Sequence, residues 1–303
     1  MKHVAVLKGG WSTERAVSLV TGDAVARALE NAGYRVTSID LQRNLTALLA
    51  DLTPRPDVVF NALHGRFGED GCIQGVLEIL GIPYTHSGVR ASAIAMDKPA
   101  AKRIFASVGI RCPEGVEVPV AEAHSAMPAP YVVKPASEGS SVGVLIVPEG
   151  DNAAPLKTVD WAFGRNVLVE KYIPGRELTV AVMDGRPVAV TELRPLQGFY
   201  DYEAKYTDGK TEHLVPAPVP EAIAAQAMEW ARLAHDTLGC RGVTRCDFRY
   251  DDAGDPPGTL YMLEINTQPG LTPLSLVPEQ AAHIGMDFEQ LCVWMVEAAR
   301  CDS

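Results

Sequence analysis

Residues 58–81 read VVFNALHGRFGEDGCIQGVLEILG: an apolar run, a glycine-rich break, then a second apolar stretch with a different period. Val58–Leu63 reads as a strand. Beyond the break, Ile73, Val76, Leu77 and Leu80 recur at i, i+3, i+4 and i+7, the spacing of one helix face, and Gly81 supplies the stop. The same alternation extends toward the N-terminus. Val4–Leu7 predicts a strand, Val25, Ala28, Leu29 and Ala32 share one face of a helix that stops near Gly33, and Val36–Ile39 predicts a further strand. Strands separated by helices imply a Rossmann-like parallel sheet, whose ligands lie at the carboxyl ends of its strands. Gly9-Gly10 and His64-Gly65 both fall at such ends.

Toward the C-terminus the pattern changes. A helix around Asp97–Val108 leads into a Pro- and Ala-rich connection, Cys112–Pro130. The strand Tyr131–Lys134, a Gly/Ser loop and a strand starting near Val142 follow, then strands at Val167–Tyr172 and Glu177–Met183. Asp184-Gly185 is a two-residue hairpin turn into Pro187–Thr191. A long polar, Tyr-rich loop at about 196–213 precedes a helix, Glu221–Leu238. A hairpin with strands near Val243–Tyr250 and Thr259–Asn266 surrounds the turn DDAGDPPG, and a helical tail closes the chain. The expected division is 1–95, 96–185 and 186–303.

A length of 303 residues suits two or three domains, and 47% hydrophobic with 21% charged residues is ordinary globular composition. With 27 Lys and Arg against 38 Asp and Glu, the net charge of -11 argues against broad binding to nucleic acid or anionic membranes. No apolar run approaches the roughly 18 residues of a membrane span, and the opening MKHVAVLKGG reads as a strand rather than a signal peptide. Cys72, Cys112, Cys240, Cys246, Cys292 and Cys301 form no CxxC pair or metal-ligand rhythm, which predicts reduced thiols.

Several motifs carry candidate chemistry, each with a plainer alternative. Lys134-Pro-Ala-Ser-Glu-Gly-Ser-Ser-Val-Gly143 is either a phosphate-wrapping loop, with Lys134 at the preceding strand end, or a flexible hairpin loop. It is neither a Walker loop nor a dinucleotide fingerprint. In the hairpin, Arg245 and Asp247 share a face, as do Glu264 and Asn266, so Asp247 and Glu264 sit opposite or diagonal to one another. Like charges so placed destabilise a sheet unless an oxygen-seeking cation such as magnesium compensates; otherwise this is a solvated strand face. Asn266-Thr-Gln-Pro-Gly-Leu-Thr-Pro-Leu-Ser275 offers a glycine N–H and hydroxyls to an oxyanion, or is an ordinary turn. His64 either orients a ligand or serves a turn, and Glu14 either meets a substrate or favours a helix dipole. Phe199-Tyr-Asp-Tyr-Glu-Ala-Lys-Tyr206 reads as a lid or as a surface loop.

In order along the chain, GGWSTER, ALHGRFGEDG, MDK, VVKPASEGSSVG, VEKYIPGRELTV, FYDYEAKY, TRCDF and LEINTQPGLTPLSLVP resemble the D-alanine–D-alanine ligases of the ATP-grasp superfamily. The resemblance covers nearly the whole chain and implies an N-terminal α/β domain followed by a two-part ATP-grasp fold with ATP between its parts. It implies ligation of two D-alanines, through a D-alanyl phosphate, to the dipeptide used in peptidoglycan. By the same resemblance, Lys98 and Lys134 hold ATP phosphates with Ser140, Phe199 and Lys205 nearby; Glu170, Lys171 and Ile173 meet adenine; and Glu177 binds ribose. Asp247, Glu264 and Asn266 bind two magnesium ions, with manganese as an alternative. Glu14 takes the ammonium of the first D-alanine beside His64, while Arg245 and the Gly270 N–H stabilise the oxyanion. Lys205, Ser275 and Leu276 hold the second D-alanine, and Glu14, Ser140 and Tyr206 latch the lid.

Resemblance also implies a homodimer formed through the N-terminal domain, in bacterial cytoplasm, with no nucleic-acid or membrane partner. The alternatives within it are a D-alanyl-D-lactate or D-alanyl-D-serine ligase, or a catalytically silent ATP-binding relative. Tyr206 argues against the lactate form, and retention of Arg245, Asp247, Glu264 and Asn266 argues against the silent one. Gln268 stands where serine is common, Ala136 likewise, and Lys8 where an apolar residue is commoner; none has an implied role.

Overall fold

The computed structural model describes residues 1–137, 139, 143–150, 161, 164–196 and 210–302. At the N-terminus, β1 (His3–Gly9), β2 (Arg35–Leu41) and β3 (Val58–Asn61) form a parallel sheet in the order β2-β1-β3. Helix α1 (Arg15–Asn31) covers one face, burying Val25, Ala28 and Leu29 against Val4, Val6 and Phe60. On the other face, Leu7 and Ile39 pack with Leu48 of α2 (Leu45–Asp51) and Leu77 of α3 (Cys72–Leu80). Burial on both faces explains why β1 and β3 read as apolar runs, whereas the edge strand β2 buries only Ile39 and Leu41. The expected third strand is shorter, because Ala62 and Leu63 leave the sheet although the Ala62 N–H still donates to Leu7 O at 2.9 Å.

Helix α4 (Val89–Met96) is followed at once by α5 (Lys98–Ser107), where Asp97 accepts from the Ala100 N–H at 2.9 Å and Pro99 fills the first turn. A four-stranded antiparallel sheet follows in the order β4-β7-β5-β6, from β4 (Gly115–Pro119), β5 (Tyr131–Pro135), β6 (Leu145–Val147) and β7 (Asn166–Lys171). The connection expected at 112–130 therefore contains a strand and the 3-10 turn Val120–Ser125. Pairing with β7 makes the strand, since its own residues are mostly exposed.

The third sheet is antiparallel, order β10-β9-β8-β11-β12, from β8 (Arg176–Met183), β9 (Arg186–Pro195), β10 (Thr211–Leu214), β11 (Val243–Asp251) and β12 (Thr259–Asn266). Asp184 and Gly185 turn β8 into β9 with φ of 41° and 76°, the positive values such hairpins need. The division expected after 185 thus falls inside a hairpin whose two strands share one sheet. The end of the loop expected at 196–213 is strand β10, paired with β9. Helix α6 (Glu221–Leu238), stopped by left-handed Gly239, covers one face, packing Ile223, Ala227 and Ala231 on Cys246, Phe248 and Leu260. Arg245, Asp247 and Arg249 alternate with those core residues of β11 and so face the other way.

On β12 the alternation breaks. Met262 and Ile265, three apart, both enter the core because the register slips between Asp247 and Phe248: Asp247 pairs with Glu264, but Phe248 pairs with Met262. Leu263 is the extra residue of this bulge. It re-aims the strand so that Glu264 and Asn266 stand on the same side as Asp247. Helices α7 (Leu276–His283) and α8 (Phe288–Glu297) close the chain and pack Val277, Ala281 and Leu291 into the core that α1 shares with the N-terminal sheet. Among the described residues no helix is long and apolar enough to cross a membrane, and the six cysteines form no disulfide.

Candidate active site

Two cavities adjoin where the three sheets converge, and Lys98, Gly139 and Glu264 line both. The first joins Glu14 and His64 from the parallel sheet's loops to Arg245, Asn266, Gly270 and Ser275 from the C-terminal sheet and turn. The second lies between the two antiparallel sheets and is lined by Lys134, Glu170, Lys171, Ile173, Glu177 and Asp247.

Glu14 sits just ahead of α1 and is buried. Its N–H donates to Ser12 Oγ at 3.2 Å, and Ser12 Oγ donates to His64 O at 2.6 Å. Its carboxylate reaches both glycine loops: a Cβ on Gly65 would lie 2.6 Å from Glu14 Oε2, and one on Gly139 would lie 2.9 Å away. His64 is held on both ring nitrogens, 3.0 Å from Thr21 Oγ1 and 3.2 Å from Glu69 Oε1. In the turn after β12, a Cβ on Gly270 would meet Ser275 Oγ at 3.1 Å, and Ser275 Oγ accepts from the Thr272 N–H at 2.9 Å. Leu276, which opens α7, also lines this cavity.

On the sheet between the cavities, Asp247 and Glu264 pair directly across β11 and β12. Arg245 forks onto Asp247, with Nε to Oδ1 and Nη2 to Oδ2 both 2.8 Å, and Thr179 Oγ1 donates to Asp247 Oδ1 at 2.7 Å. Lys98 Nζ lies 3.3 Å from Glu264 Oε2. Cations thus offset the like-charged cross-strand pair, as the sheet requires. Two carboxylates and the Asn266 amide form an all-oxygen set of the kind magnesium takes, so the residues present fit such an ion. Among the described residues no group of three or more His, Cys, Asp and Glu is placed to hold a metal; the third donor offered here is the amide.

Two lysines are organised by Glu170, only 3% exposed. It bridges Lys134, 2.5 Å from Oε2, and Lys102, which contacts Oε1. Burial pushes the Glu170 carboxyl up, but the two lysines outweigh it and hold it below the usual carboxylate range. Burial also lowers Lys134, yet Glu170 and then Glu264 hold it above its ordinary value. For Lys102 burial prevails over Glu170, aided by repulsion from Lys134, and its pKa falls. Arg249 braces the 173–177 segment, donating to Ile173 O at 3.1 Å and Gly175 O at 2.8 Å, with Glu177 3.5 Å from its Nη1. The Lys98 N–H donates to Ala136 O at 3.1 Å, fastening α5 to the start of the Gly/Ser loop.

Every candidate residue that lies among the described ones therefore lines one of the two cavities; Ser140, Phe199, Lys205 and Tyr206 lie outside the described residues. Family models described as D-ala D-ala ligase C-terminus and D-ala D-ala ligase N-terminus match residues 112–297 and 47–87. Over 303 residues the chain is 57% identical to a D-alanine--D-alanine ligase of Granulibacter bethesdensis, covering 99% of each chain. The chain belongs to the D-alanine–D-alanine ligase family. Another member, from Rhodospirillum rubrum, is 56% identical over 305 residues, covering 100% of this chain and 99% of the relative. A crystal structure of the Bacillus anthracis D-alanine--D-alanine ligase complexed with ATP superposes with a TM-score of 0.81 at 32% identity, covering 98% of this chain and 96% of that one. The expected fold, an N-terminal parallel-sheet α/β domain before an ATP-grasp unit, is that of this family.

Sequence reading missed Glu69, Lys102, Thr179 and Arg249 in this ligase-family site. Signals for three of them were present. Lys102 is four residues beyond Lys98 on one helix and so shares its face. Thr179 and Glu177 alternate on β8, opposite Asp247 and Arg249 of β11.

Proposed function

We propose that the protein joins two D-alanines to D-alanyl-D-alanine at the expense of ATP, supplying a peptidoglycan precursor. One feature supports this above all: a recess framed by Glu14, His64, Arg245 and Gly270 adjoins a second cavity lined by Lys134, Glu170 and Glu177, and Lys98 and Glu264 belong to the wall of both. In the second cavity Lys98 and Lys134 hold the phosphates, Glu170, Lys171 and Ile173 face the adenine, and Glu177 faces the ribose. Glu14 pairs with the ammonium of the first D-alanine, aiming its carboxylate at the γ-phosphate. The carboxylate oxygen attacks phosphorus and ADP leaves. The amine of the second D-alanine, its carboxylate against Ser275 and the first residues of α7, attacks the acyl carbon. Arg245 and the Gly270 N–H stabilise the oxyanion that forms, and phosphate departs as the amide is made.

Asp247, Glu264 and Asn266 would hold magnesium, or manganese in its place, which would neutralise phosphate charge. Ser140, Phe199, Lys205 and Tyr206 complete the lid side of this reading, excluding water from the acyl phosphate. We further assign the protein to the bacterial cytoplasm as a homodimer through its N-terminal region. Exposed Val20 on α1 and Ile79 on α3 supply apolar surface there.

Purified protein with ATP and magnesium is expected to release phosphate with D-alanine and not with L-alanine, and mass measurement should find the dipeptide. No release above background with D-alanine would overturn the assignment. Glu264→Gln should raise the magnesium concentration needed for half-maximal activity and lower turnover together, since a neutral amide is the weaker cation ligand. An unchanged magnesium dependence would remove Glu264 from the metal set.

A further inference from the structure

The apolar strand β3 carries one amide, Asn61, fully buried, and the turn after β12 carries another, Gln268, 1% exposed. The two meet: Asn61 Nδ2 donates to Gln268 Oε1 at 2.7 Å, and Gln268 Nε2 donates back to Leu63 O. Each is locked within its own segment as well. The second Nδ2 proton of Asn61 goes to Gly68 O at 3.0 Å, and its Oδ1 accepts from the Leu63 N–H at 3.2 Å. The Gln268 N–H donates to Asn266 Oδ1 at 2.8 Å, and Gln74 Nε2 supports Gly68 O at 2.8 Å. The pair therefore spans from the loop that presents His64 and Glu69 to the turn that presents Asn266 and Gly270.

These are the two halves that the proposed reaction must hold in register: one grips the first D-alanine, the other meets its reacting carboxyl group. We propose that the Asn61–Gln268 pair is the positioning contact that sets the distance between them, an inference that rests on the ligase reading above. Two features make it a spacer rather than filler. It is fixed at both ends by hydrogen bonds, and a buried amide that loses its partner is costly, so the pair has one stable geometry. Misplacing a substrate by about 1 Å can cost about a hundredfold in rate, so a contact remote from the reacting atoms can govern turnover. Asn61 and Gln268 act through His64 and Gly270 and touch no substrate.

The test uses the full-length protein and the D-alanine-dependent phosphate assay. Asn61→Leu and Gln268→Met keep bulk and remove the bridge. Each is expected to raise the KM for D-alanine or lower kcat by about tenfold, the equivalent of one unpaired buried group, while ATP affinity measured by calorimetry stays within about twofold. The double variant should be no worse than the poorer single one, because both remove the same bridge. Gln268→Asn, which keeps an amide of shorter reach, should show the same split at a melting temperature close to the parent's, and it carries the test if the apolar variants fold poorly. Loss of ATP affinity in step with D-alanine kinetics, or additive single effects, would overturn the positioning role. A parent protein inactive with D-alanine would instead overturn the ligase reading itself, so the two failures are distinguishable.

Discussion

Arg245→Lys should cut kcat by about two to three orders of magnitude, or about 2.7–4 kcal/mol of transition-state stabilisation, the usual cost of losing one preorganised oxyanion donor. Charge is retained in this substitution, so the loss isolates geometry. The guanidinium uses Nε and Nη2 on Asp247 while it lines the first cavity. A lysine ammonium is a single point donor on a flexible stem and cannot hold that fork while also facing the acyl oxygen. Negative charge appears on that oxygen only as the amine attacks, so the effect belongs in kcat and kcat/KM together, with a smaller change in the KM for ATP. A raised D-alanine KM at unchanged kcat would assign Arg245 to ground-state binding and remove it from oxyanion stabilisation.

How far such a site is legible before the structure depends on which interactions are local. A side-chain period of two puts Arg245 with Asp247, and Glu264 with Asn266, on one face each, and the hairpin brings the two pairs near one another; that Asp247 and Glu264 pair directly is the work of the bulge. The N-terminal sheet was equally legible from its apolar runs. Strand β4 was not, because its five mostly exposed residues lie inside a Pro- and Ala-rich connection and pair only with β7. Helices α2 and α4, of 7 and 8 residues, are shorter than the window over which an apolar face declares itself. The bulge at Leu263 is a tertiary feature that a strict alternation would have misplaced. Gln268 acts between domains, where sequence distance carries no information about contact, and the alternation that carries Thr179 and Arg249 gains meaning only once β8 is known to neighbour β11. Lys102 and Glu170 lie on different elements as well, and only the fold shows that Lys134 shares its carboxylate with a second lysine.

That shared carboxylate makes Glu170→Gln the substitution with the largest expected effect on stability. It leaves two buried ammonium groups facing a neutral amide, and removing one partner of a buried ionic cluster costs about 3–5 kcal/mol. Lys102 can relieve part of this by releasing its proton, since burial already lowers its pKa and Glu170 is the strongest influence opposing that shift. A lysine with a depressed folded-state pKa binds fewer protons folded than unfolded, so its stability contribution rises with pH. The deficit in melting temperature relative to the parent should therefore be greatest near about pH 7 and shrink toward about pH 10, the ordinary lysine range. It should shrink in acid too. The parent's Glu170 has a lowered pKa, so the stability it contributes is present above the unfolded carboxyl range and disappears as pH falls through the folded value. Because the variant leaves Lys134, which lines the second cavity, without its Glu170 counter-ion, tripolyphosphate, which carries the anionic chain without adenine, should raise its melting temperature more than it raises the parent's. A variant as stable as the parent at neutral pH, or one indifferent to tripolyphosphate, would show that Glu170 is not the counter-ion that keeps Lys102 and Lys134 charged in this fold.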